Sequence, residues 1–168
     1  MNNIDWNATF LGNTVESYCW FFGILLGGII IKRFLSKILA QLTFKLVKKY
    51  SSGVGFEKFL ELLKAPFGLF IILTTLYFAF DRLQFPINWN LVSEEKFGAR
   101  MILFRSFQCA IVVSLTWILL RLTDYFGVIL LHRASATESK VDDQLVPFVK
   151  ESIKIVIAIF SLFFILGS

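Results

Sequence analysis

Residue types that carry catalytic or metal chemistry are scarce in this 168-residue chain, which has one histidine, His132, and two cysteines, Cys19 and Cys109. His132 stands beside Arg133 with no second histidine or carboxylate near it in sequence, the setting of a solvated helix end and not of a ligand. Both cysteines lie inside apolar stretches, lack the spacing of a disulfide or zinc site, and read as small packing residues. Gly53-Val54-Gly55 has neither the preceding strand nor the third glycine of a phosphate-binding loop. The sequence predicts no enzyme activity, no metal and no cofactor.

Positive charge is the better-supplied chemistry. Lys32, Arg33, Lys37, Lys45, Lys48 and Lys49 crowd one segment, and a Lys or Arg near an anionic membrane surface is worth about 1 kcal/mol. These six are the candidate lipid-binding residues at an inner interface. Further on, Asp142 and Asp143 precede Pro147, an arrangement suited to a helix start. Two anions there meet the positive end of the helix dipole, Asp143 can cap free amides, and proline costs little in an early turn. Gly23, Gly27 and Gly28 form a small-residue strip through which another helix can approach closely, most simply a neighbouring span of the same chain.

The elements that hold these residues follow from composition. Apolar residues make up 57% of the chain and charged residues 17%, against roughly 25% charged in a soluble domain. Too few polar groups remain to cover a soluble surface. The net charge of +5 comes from Lys and Arg that flank apolar runs and do not line one face, which argues against nucleic acid. Charge-free runs fall at 17–31, 65–80, 106–120 and 155–168. Each is shorter than the roughly 20 residues that cross a bilayer core, and each extends at its ends through residues whose long side chains reach the headgroups. The expected fold class is all-α, a polytopic membrane protein with four transmembrane helices. No charged residue is expected in the middle of a span, which speaks against a proton-coupled transporter.

Loop charge sets the expected orientation. Residues 1–16 carry no Lys or Arg, 32–64 carry eight, 81–105 four and 121–154 five. This distribution puts the N-terminus outside and the basic connection in the cytoplasm. With no Lys or Arg before the first run, a secretory n-region is also lacking, so that run is expected to stay in the mature protein. Trp6 and the 85–89 stretch suit the outer interface. Apolar spacing through Ile31, Leu35, Ile38, Leu42 and Leu46 carries the first helix past the bilayer to about Tyr50, where 51–55 breaks it. The expected organisation is an outer segment 1–13, a first span with its basic amphipathic extension 14–50, a second span 56–81 and an outer loop 82–98. A third span 99–133, a cytoplasmic turn 134–144 and a fourth span 145–168 complete it. Arg121 and Asp124, three apart on the third helix, are expected to pair at the inner interface.

The stretch Asp142-Asp143-Gln144-Leu145-Val146-Pro147-Phe148, with the following span bearing Lys150 and Lys154, resembles the small-conductance mechanosensitive channel family. Phe10-Leu11-Gly12-Asn13-Thr14, with Tyr18 and the glycine-rich span after it, is similar to the outer N-terminus of members with extra helices. The resemblance implies a homo-oligomer, usually a heptamer, in the bacterial inner membrane. Such a channel opens under bilayer tension and releases ions and small solutes on hypo-osmotic shock. It also implies that a Gly- and Ala-rich pore helix follows Ser168, so that this stretch alone does not conduct. The expected partners are membrane lipids and further copies of the chain, with no nucleic acid. A membrane adaptor that binds lipid or a partner through the basic helix 32–50 is the alternative.

Overall fold

The computed structural model describes residues 9–10, 12–51, 53–80, 82–83, 99–134 and 140–167. Expectations for Trp6, for the loop around Pro86 and Trp89 and for the turn at 135–139 lie outside the described residues. Helix dominates. A two-residue hairpin, β1 (Thr9–Phe10) against β2 (Asn13–Thr14), precedes α1 (Val15–Val47) and a 3-10 turn (Lys48–Tyr50). Then come α2 (Phe56–Phe80), α3 (Ala99–Ala134) and α4 (Lys140–Gly167). Three helical segments, Val15–Tyr50, Phe56–Phe80 and Arg105–Ala134, are long and apolar enough to cross a membrane.

Local chemistry explains the helix ends. Thr14 has an extended backbone, and its hydroxyl accepts the Ser17 amide at 3.2 Å, relieving one of the donors that a helix start leaves free. Glu16 in the first turn favours the same end. At 33 residues, α1 is about 50 Å long, well beyond a roughly 30 Å hydrocarbon core. Gly53 stops the chain from continuing as helix, with a φ of 78° that side-chain-bearing residues avoid. Within α2, the buried Pro66 donates no amide to the carbonyl four residues earlier.

Two features differ from expectation at α4. The helix starts at Lys140, so Asp142 and Asp143 belong to its first turns instead of a preceding loop; their side chains lie outside the described residues. Polar and charged residues form helix readily where the first turn welcomes anions, and polarity alone does not mark a loop. Pro147 accordingly sits inside the helix and past its first turn, where its missing amide leaves the Asp143 carbonyl without the usual donor.

The helices pack in chain order, α1 on α2, α2 on α3 and α3 on α4. The core is concentrated at one end. Ala40, Phe59, Leu63, Phe67, Ile118, Tyr125 and Ile129 are buried there, with Phe44, Val47 and Phe56 packed around them. Towards the other end the apolar side chains open outward, among them Trp20, Phe22, Ile30, Tyr77 and Phe78.

Candidate functional site at the basic ends of the helices

The basic strip of α1 faces away from the core. Lys37, Lys45, Lys48 and Lys49 are exposed, as is Arg33, whereas Lys32 is half-buried. On the same helix, Ser36 and Ala40 are buried. The strip ends in the 3-10 turn, where cations also meet the negative end of the helix dipole.

Beneath this strip, α3 reaches the turn between α1 and α2. Tyr125 is fully buried, and its hydroxyl donates to the Val54 carbonyl at 3.1 Å while meeting the Ser51 hydroxyl at 2.5 Å. Ser51 also donates to the Val54 carbonyl. The ring packs edge-on against Phe59 with centroids 4.9 Å apart, a geometry aromatic pairs favour. About two turns later, Arg133 donates to the Tyr50 carbonyl at 3.2 Å. His132 lies against Gly53 so closely that a Cβ there would overlap the imidazole. These contacts clasp the α1–α2 turn from one side.

The residue beside Tyr125 faces the other way. Asp124 receives Arg121 Nη1 at 3.2 Å and, from α4, Lys154 Nζ at 2.5 Å and Lys150 Nζ at 3.8 Å. Glu151 lies 3.3 Å from Lys150 and 3.4 Å from Lys154. The Asp124 side chain is only 19% exposed, and a partly desolvated pair of this kind counts for more than a surface one. Lys150 reaches Asp124 by crossing Gly127, where a Cβ would stand 2.6 Å from the lysine Cδ. Nearer the opposite end, Thr116 donates to Ser161 at 2.6 Å, adding a second polar contact between α3 and α4. Adjacent residues of α3 thus tie the α1–α2 turn on one side and α4 on the other.

The structure separates the three candidate packing glycines. Gly28 abuts Thr75 of α2 so tightly that any Cβ would overlap that side chain, whereas Gly23 and Gly27 have nothing within 4 Å. The strip therefore serves α1–α2 contact at one position only, because the facing residue decides which glycine matters. Cys19 is exposed and Cys109 half-buried, so Cys19 does not fill the packing role expected of it. The expected pairing of Arg121 with Asp124 is present, but the two lysines of α4 that complete it have no counterpart in the sequence reading. Tyr125 was missed as well. Its helix face also carries Arg121 and His132, so no apolar stripe marks it as core.

No family model, curated protein or solved structure matches the chain. Among the described residues, no cluster of His, Cys, Asp and Glu gathers at metal-binding distance. What the geometry offers is mechanical: a charged, hydrogen-bonded joint at the basic end, with apolar helix faces open around it.

Proposed function

We propose that this chain is a tension-responsive membrane module of the small-conductance mechanosensitive channel type. It crosses the bacterial inner membrane four times, with the N-terminus outside and the basic helix ends at the cytoplasmic face. It works in a homo-oligomer, heptameric by resemblance, that releases ions and small solutes on hypo-osmotic shock. The observation that carries this reading is the joint on α3, where Asp124 holds α4 and Tyr125 holds the α1–α2 turn.

Tension shifts a protein only through a difference in membrane area between states. Helices packed in series, open to lipid at one end and pinned at the other, have a way to make that difference by splaying. Hydrophobic mismatch supplies a drive for tilting, at fractions of a kcal/mol per Å. The fourth crossing is supported by the apolar end of α4 after Lys154, with Lys150 and Lys154 able to extend towards headgroups. The count of basic residues in the connections supports the orientation. Exposed Lys37, Lys45, Lys48 and Lys49 are placed to hold the inner leaflet.

Spin labels on Cys19 of α1 and Cys109 of α3 test the reading in liposomes. Lysophosphatidylcholine added to one leaflet mimics tension, and the label-to-label distance is expected to shift. The shift is expected to shrink in the Asp124→Asn/Tyr125→Phe double variant. A distance distribution that ignores lysolipid in the unaltered protein overturns the proposal.

A further inference from the structure

Two lysines in this fold lie across a glycine of the neighbouring helix. Lys150 crosses Gly127 and ends on Asp124. Lys32 crosses Gly68, where a Cβ would stand 3.0 Å from the lysine Cε, but among the described residues no carboxylate pairs with its ammonium. Glu61 is taken by Lys58 at 2.9 Å, and Asp124 is taken by Arg121, Lys150 and Lys154. The charged residues closest to Lys32 along α1 and along the facing part of α2 are Arg33, Lys37 and Lys64, all cations.

The depth of Lys32 makes this cation unusual. Phe21 with Phe80, Gly28 with Thr75, Lys32 with Gly68 and Phe44 with Phe59 fix the antiparallel register of α1 on α2. In that register Lys32 lies beside Gly68, near the basic end of the charge-free run 65–80. Tyr77 with Phe107 and Phe59 with Tyr125 carry the levels on to α3, and Thr116 with Ser161 carries them to α4. Lys32 is level with about Gly68 of α2, Thr116 of α3 and Ser161 of α4, one helical turn inside Lys64. Lys64 and Lys37 lie about 6–8 Å and Asp124 about 12 Å further towards the basic end, at 1.5 Å per helical residue. An unpaired, half-buried cation set inside the charged ends of the helices is costly and marks a functional position. It is stabilised when a counter-anion arrives from outside the chain.

We propose that Lys32, seated on Gly68 and flanked by Arg33 and Lys64, binds the phosphate of an anionic phospholipid in the α1–α2 seam. The proposal rests on the membrane reading above and adds a defined site to it. Ile31 and Leu35, 47% and 38% exposed, give the acyl chains an apolar surface beside the ammonium. A phosphate on an amphiphile fits a charge at this depth better than a free ion does, because its chains occupy the apolar surroundings that exclude a hydrated anion.

The test is native mass spectrometry of the whole chain released from bilayers of phosphatidylcholine with phosphatidylglycerol. The unaltered protein is expected to retain phosphatidylglycerol selectively. Lys32→Gln is expected to lower that retention roughly fivefold, the worth of one lysine near an anionic surface. Gly68→Ala keeps every charge, displaces the lysine stem and is expected to lower retention by less, which decides the matter if Lys32→Gln fails to fold. The Lys58→Gln variant, altered near the start of α2 where Lys58 pairs with Glu61 at 2.9 Å, is expected to keep the tightly held lipid. Equal retention in Lys32→Gln and the unaltered protein overturns the site. Displacement of the bound lipid by millimolar inorganic phosphate also overturns it, by assigning the position to the free ion. Failure of the membrane reading shows separately, as a chain that stays dispersed in buffer without detergent.

Discussion

The two halves of this helical assembly are built by different rules. At the basic end, Phe59, Leu63 and Tyr125 have no exposed surface, and Phe44 lies 5.3 Å from both Phe56 and Phe59, ring centre to ring centre. At the other end, Trp20, Phe22, Tyr77 and Phe78 are each at least half exposed. The first half holds itself together by side-chain packing and buried hydrogen bonds around this cluster, although Leu46 and Phe148 at the same end stay 78% and 71% exposed. The second offers its apolar faces to whatever surrounds it, which costs nothing in hydrocarbon. A stiff end joined to a compliant one is the mechanical content of the fold.

Substitutions can break that contrast or sharpen it. Phe59→Ala is expected to cost about 3–5 kcal/mol in reversible unfolding in detergent, whereas Phe22→Ala is expected to stay within about 0.5 kcal/mol. Equal losses at the two positions would erase the distinction between the halves. Gly28→Leu follows, at about 1–3 kcal/mol, because it drives a side chain into Thr75; Gly23→Leu, with open space around it, is the matched control and should be near neutral. Tyr125→Phe leaves the Ser51–Val54 turn without its donor from α3 and is expected to cost about 1–2 kcal/mol, read by the same unfolding measurement and by faster amide exchange at 51–55. Smallest is Asp124→Asn, at about 1 kcal/mol, the upper end of the range for surface pairs because its side chain is only 19% exposed. Its signature is a loss of salt dependence, since the charges it uncouples no longer respond to screening.

Much of the helical architecture was legible in the sequence because each apolar run reports its own periodicity. An all-helical chain with long apolar segments follows from Ile31, Leu35, Ile38 and their neighbours without reference to anything else. Stagger between helices is another matter. The offset that sets Lys32 beside Gly68 depends on where Gly28 meets Thr75 and Phe44 meets Phe59, and no single-helix pattern encodes it. The same limit explains the Asp124 joint. Arg121 was within reach as a neighbour three residues away, but Lys154 lies thirty positions downstream, and only packing of α4 on α3 brings it close. At α4 itself the polar residues 140–144 suggested a turn, when acidic first-turn residues suit a helix equally well.

Because each helix rests chiefly on its predecessor, a growing chain need not wait for its end before beginning to assemble. The first hairpin can settle as soon as its second arm leaves the ribosome, and each later arrival finds its docking surface already in place. Insertion order and folding order then coincide, so a chain interrupted during synthesis should leave a shorter stack of the same build instead of a scrambled one.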